Sequence, residues 1–157
     1  MSDALVAELA ALLLARGEQL AVAESCTGGL IAAACTELAG SSAWFERGVV
    51  TYANRAKQEL LGVPEALLAT QGAVSEACVR AMAEGLLARA PVQHTLAVSG
   101  IAGPTGGTAE KPVGTVWIAW ASQGVTTATR FVFAGHRTSI RQQAVLAAFE
   151  GLLKRLR

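Results

Sequence analysis

The sequence predicts a three-layer α/β/α sandwich around a mixed, mostly parallel sheet of about five strands. Two patterns predict it. Short apolar runs alternate with segments of helical spacing through the first two thirds of the chain, the succession that parallel strands and crossover helices produce. The runs Val113 to Ser122 and Val125 to Ala134 then flank Gln123-Gly124, a hairpin signal that adds one antiparallel strand.

The elements follow in order. Leu5, Leu9, Leu12 and Leu13 fall at helical spacing before Gly17, so a first helix packs one face inward. Gln19 to Ala23 is a short apolar strand, and Leu30 to Ala39 holds helix formers that end at Gly40. Phe45 to Ala53 reads as a strand centred on Val49 and Val50. Asn54 can cap a short helix through Leu61, and Pro64 suits the first turn of another. Ser75-Glu76-Ala77-Cys78 opens a longer helix that stops before Pro91. Thr95 to Val98 is a compact buried strand, and Ser99 to Pro112 is a loop rich in glycine and proline. A last helix runs from about Thr138 to the C-terminus, with Ile140, Ala144, Ala147, Ala148, Leu152 and Leu156 as its apolar positions.

At 157 residues the chain is a typical single domain, 1–157, long enough to bury a proper core. It is 52% hydrophobic and 16% charged, but much of the apolar share is alanine. No run of about 18 apolar residues marks a membrane helix. Its 13 basic and 12 acidic residues are interspersed, for a net charge of +1, which speaks against a nucleic-acid binder. Lys154-Arg155-Leu156-Arg157 is a small cationic tail that suits a helix C-terminus. Met1-Ser2-Asp3 has no basic n-region, so no secretory leader is expected. Three cysteines without metal-ligand spacing and two distant histidines indicate a reduced, cytoplasmic protein without a structural metal.

Chemistry concentrates first at Ala23-Glu24-Ser25-Cys26-Thr27-Gly28-Gly29, where a strand hands over to a helix. The first N–H groups of a helix lack internal partners and carry positive partial charge. Gly28 and Gly29 leave no side chains to block approach to them. A hydroxyl beside such donors is half of an acyl-transfer site, because the donors can hold the oxyanion that attack creates. Equally, Ser25 or Thr27 can simply cap the helix. The predicted sheet favours the site, since ligands bind beyond the carboxyl ends of parallel strands. Ser25, the segment Tyr52 to Lys57 and the loop Ser99 to Gly107 all fall there.

Lys57 would lie in the first turn after an Asn54 cap, where the dipole disfavours a cation. Partly desolvated in a cleft, it would have a lowered pKa and could act as a base. With no His–Asp pair to activate Ser25, a lysine assisted by Tyr52 is the chemical substitute. The plain alternative is a solvated lysine and an interface tyrosine. The loop Ser99-Gly100-Ile101-Ala102-Gly103-Pro104-Thr105-Gly106-Gly107 can form an anion nest, but it lacks the ending of an ATP-binding P-loop. Arg137 and Arg141 share one face of the last helix at its N-terminus, a poor place for cations unless they hold an anion such as phosphate or pair with acids.

In these segments, together with Leu61-Gly62-Val63, Gly72-Ala73-Val74-Ser75, Lys111-Pro112-Val113-Gly114-Thr115-Val116 and Gly135-His136-Arg137, the chain resembles the CinA C-terminal domain family. The likeness covers nearly the whole chain in its stand-alone form; His136 stands where an acidic residue is common. The resemblance implies hydrolysis of the carboxamide of nicotinamide mononucleotide to nicotinate mononucleotide and ammonia, with no metal or organic cofactor. It implies Ser25 as nucleophile, with Lys57 and Tyr52 moving protons and the N–H groups of Thr27, Gly28 and Gly29 holding the oxyanion. Asn54, Ser99, Gly100, Ala102, Gly103, Gly106, Gly107, Arg137 and Arg141 would bind the ribose and phosphate. It further implies a homodimer acting on a small nucleotide, with neither nucleic acid nor membrane as partner. The family's association with competence and DNA damage leaves open a sensing module that binds a phosphorylated ligand without turnover. A cysteine hydrolase built on Cys26 is a third reading, for which no histidine is placed.

Overall fold

A computed structural model describes residues 2–157; Met1, on which the leader reading begins, lies outside them. The sheet has five strands: β1 (Leu20–Glu24), β2 (Phe45–Val50), β3 (His94–Gly100), β4 (Thr115–Ser122) and β5 (Val125–Val132). Their order is β2-β1-β3-β4-β5, with β1 parallel to both β2 and β3 and with β4 antiparallel to both β3 and β5. Only β4 therefore runs against the rest, as the hairpin signal predicted. The helices are α1 (Asp3–Arg16), α2 (Leu30–Glu37), α3 (Asn54–Leu61), α4 (Glu65–Gln71), α5 (Glu76–Arg89) and α6 (Arg137–Leu156).

Strand alternation sorts the two faces of the sheet by size. Leu20, Val22, Leu96, Val98, Val116, Ile118 and Trp120 pack on the side of α1, α2 and α6. Ala21, Ala23, Ala97, Ala119 and Ala121 face the other way, toward Val79, Met82 and Leu86 of α5. The alanine face lets α5 lie close to the sheet. Gly85 then lets α3 lie close to α5: a β-carbon there would sit 1.9 Å from the Leu61 carbonyl oxygen. That contact fixes the helix that carries Lys57. Among the described residues, no helix is long and apolar enough to cross a membrane.

The boundaries differ from the sequence expectations for local reasons. Helix α2 ends at Glu37, not Ala39, and Gly40, at φ 85°, instead begins the 3-10 turn Ser41–Ala43. Strand β2 stops at Val50, so Thr51 to Ala53 leave the sheet before α3. Asn54 is the first residue of α3 rather than its cap, which is Ala53. Ser99 and Gly100 belong to β3, paired with Trp117 and Val116. Ser75 does cap α5, its hydroxyl accepting from the Cys78 N–H at 3.2 Å. The last helix starts at Arg137, where His136 Nδ1 accepts from the Ser139 N–H.

Candidate active site

The site lies beyond the carboxyl ends of β1, β2 and β3, where such sheets place ligands. Ser25 follows β1 directly, and its N–H donates to the Val98 carbonyl of β3 at 3.0 Å. Thr51 follows β2, and its N–H donates to the Glu24 carbonyl of β1 at 2.8 Å. These two backbone bonds lock the three strand ends into one platform.

Lys57 reaches back from α3 onto that platform. Its Nζ lies 3.2 Å from Ser25 Oγ, 2.7 Å from the Thr51 carbonyl oxygen and 3.0 Å from the Tyr52 carbonyl oxygen. The side chain is 1% exposed, and burial holds its pKa below the ordinary lysine value, while the Cys78 and Cys26 thiols act weakly the other way. A neutral amine has two N–H donors and one lone pair. With two carbonyls to take the donors, the third position, toward Ser25 Oγ, is left to the lone pair. The hydroxyl can then donate to the amine, the arrangement that general-base activation needs.

The helix N-terminus is not free, contrary to expectation. Glu24, 0% exposed, turns its carboxylate under α2 and accepts from the Gly29 N–H at 3.2 Å, the Ile31 N–H at 2.9 Å and the Ala32 N–H at 3.0 Å. A buried carboxylate needs such donors, and the helix dipole adds to them. The Gly28 N–H is also used, donating to the Ser25 carbonyl at 3.0 Å. Gly28 and Gly29 are thereby removed as oxyanion donors. Among the described residues, the N–H groups of Cys26 and Thr27 have no acceptor. An acid closing a wholly apolar strand was the sequence signal for this cap, since it can be buried only if hydrogen-bonded.

A cleft of about 230 Å³ opens over Ser25 and Lys57. Asn54, Ser99, Gly100, Ala102 and Arg137 line it, as the sequence led one to expect, and so do Ala73 and Val74, which it did not. Gly103 lies just behind, its carbonyl accepting from Arg137 Nη1 at 2.9 Å. Gly106 and Gly107 sit in the exposed outer part of the loop, away from the cleft lining. Tyr52, 61% exposed, lines the mouth, and its carbonyl rather than its hydroxyl engages Lys57. Arg141 is absent from the lining; it donates from Nε to the Cys26 carbonyl at 2.9 Å and from Nη2 to the Thr27 carbonyl at 3.2 Å. The two arginines thus part company. Burial pushes the Cys26 thiol up to about 11, so it is a poor thiolate at neutral pH.

A three-layer α/β protein with a serine hydroxyl set on a buried lysine is the class that this geometry defines. The chain belongs to the CinA C-terminal domain family, whose model matches residues 2–156. It is 52% identical over 148 residues to a protein of Enterobacter agglomerans named nicotinamide-nucleotide amidohydrolase PncC, covering 94% of this chain and 90% of that one. A protein of Geobacter sulfurreducens named CinA-like is 49% identical over 164 residues, which span 99% of this chain but 40% of that longer one. The crystal structure of competence damage-inducible protein A from Klebsiella pneumoniae superposes with a TM-score of 0.96 at 45% identity, covering 99% of this chain and 96% of that one.

Proposed function

We propose that residues 1–157 form one amidohydrolase unit that converts nicotinamide mononucleotide to nicotinate mononucleotide and ammonia. The observation that carries this reading is Lys57 Nζ, buried and 3.2 Å from Ser25 Oγ, at the floor of the cleft. The relative of Enterobacter agglomerans supports the substrate class by its name. Neutral Lys57 takes the hydroxyl proton as Ser25 Oγ attacks the carboxamide carbon, and the carbonyl oxygen becomes an oxyanion held by backbone donors, worth on the order of 3 kcal/mol each. Lys57, now an ammonium, protonates the amide nitrogen, and the C–N bond breaks to release ammonia. Water then attacks the acyl ester with Lys57 again as base, and the proton returns to Ser25 as nicotinate mononucleotide leaves. Tyr52 walls the mouth, and proton transfer rests on Lys57.

Arg137, exposed at the start of α6 and lining the cleft, is the phosphate ligand in this scheme. A sensing module has no use for a lysine desolvated against a hydroxyl, so catalysis is the better reading. The enzyme would act as a cytoplasmic homodimer, with exposed Leu30, Val50 and Tyr52 available for the contact; sedimentation at the mass of one chain contradicts that. Product identity tests the reaction. Ammonia and nicotinate mononucleotide should appear one for one, whereas release of intact nicotinamide would place the cleavage at the glycosidic bond instead.

A further inference from the structure

Arg141 sits one helical turn after Arg137 on α6, yet its guanidinium spans two adjacent carbonyls of the nucleophile loop, those of Cys26 and Thr27. Room for it comes from Gly28, at φ 56°, where a β-carbon would lie 3.2 Å from Arg141 Nη2. The Cys26–Thr27 peptide is trans, so its carbonyl and its N–H point in opposite directions. Arg141 holds the carbonyl end. The other end, the Thr27 N–H, has no acceptor among the described residues. The following peptide is fixed at both ends, because the Thr27 carbonyl also accepts from the Leu30 N–H at 3.0 Å and the Gly28 N–H is held by the Ser25 carbonyl.

Thr27 itself is 0% exposed, and its Oγ1 also lacks a partner. A buried residue two positions from the nucleophile whose N–H and hydroxyl both lack partners is costly, although its carbonyl is paired. Such a cost calls for a functional reason.

We infer that Arg141 is a positioning residue of the acyl-transfer centre: through the Cys26 and Thr27 carbonyls it fixes the loop that presents Ser25 and the Cys26 N–H at the cleft, and it does not bind the substrate phosphate. This rests on the reading of Ser25 as nucleophile. Arg141 touches no reacting atom; it acts through the backbone of the loop. The first sight of Arg137 and Arg141 on one helix face suggests a pair of phosphate ligands, and the hydrogen bonds separate them.

The test compares Arg141→Gln, Arg141→Lys and Arg137→Gln in the full chain. Arg141→Gln should lower kcat on nicotinamide mononucleotide by at least about tenfold. In the Ser25→Ala background, the Kd for the mononucleotide should stay within about threefold. Added guanidinium ion should restore part of the lost kcat in Arg141→Gln, and Arg141→Lys should retain more activity than Arg141→Gln. Arg137→Gln should instead raise KM and weaken Kd. An Arg141→Gln protein with unchanged kcat and Kd weakened tenfold or more overturns the inference in favour of a phosphate ligand. Loss of kcat, Kd and thermal melting together, without rescue by guanidinium, overturns it in favour of a purely structural clamp. If Arg141→Gln does not fold, the same readings are taken on Arg141→Lys. Should the parent protein leave the mononucleotide intact, the proposed reaction has failed on its own. The inference is then read from the rate at which phenylmethylsulfonyl fluoride modifies Ser25, by intact mass. That rate should fall about tenfold in Arg141→Gln, and an unchanged rate contradicts it.

Discussion

Replacing Ser25 with alanine is expected to abolish ammonia release from nicotinamide mononucleotide, a loss on the order of ten thousand-fold or more, while the nucleotide still binds. Among the described residues, the hydroxyl is the nucleophile that the buried lysine touches. The contacts proposed for phosphate and ribose, at Arg137 and the loop after β3, are not disturbed by the change. Cys26→Ala is the matched control, since burial holds its thiol near 11. Turnover by Ser25→Ala above a hundredth of the parent rate would remove Ser25 from the nucleophile's role. A complete loss in a folded Cys26→Ala protein would give the role to the thiol.

Lys57→Ala is the second large effect, with kcat/KM expected to fall at least about a hundredfold, the scale of a lost general base. Lys57→Arg should not restore it, because a guanidinium stays protonated near neutral pH and has no lone pair to offer Ser25. The alanine change also strips the Thr51 and Tyr52 carbonyls of their shared donor, which costs stability. Activity must therefore be read beside thermal melting. A folded Lys57→Ala protein with near-parental rate shows that the proton goes elsewhere.

Much of this site could be read along the chain because its parts are local. The apolar run before Ser25, the paired glycines after it and the Tyr52 to Lys57 segment each mark a strand end. Adjacent parallel strands bring those ends together, and so Ser25 and Lys57 meet although they are 32 positions apart. What escaped was long-range pairing of polar groups. Glu24 stands out in the sequence as part of the motif, but which N–H groups it accepts from depends on how α2 docks above it. Arg141 finds the Cys26 carbonyl 115 positions away, a partner no helical spacing announces. The helix position predicts a lysine pKa lowered partly by the α3 dipole, whereas burial at the strand ends is the main cause. Local patterning located the reactive groups; packing decided which donors remained free.

The central claim is that Lys57 is neutral enough to serve Ser25 as base, and NMR titration of the lysine side chains measures this directly. With lysine labelled at Cε, the Lys57 signal is assigned by its disappearance in Lys57→Arg. A lowered pKa means that the base form builds up at a lower pH than for a free lysine. The signal should therefore titrate with a midpoint below about 10.4, and the rising limb of kcat/KM with pH should share that midpoint. A midpoint at or above the free value would leave Lys57 an ammonium across the working range, and the serine–lysine account would be wrong.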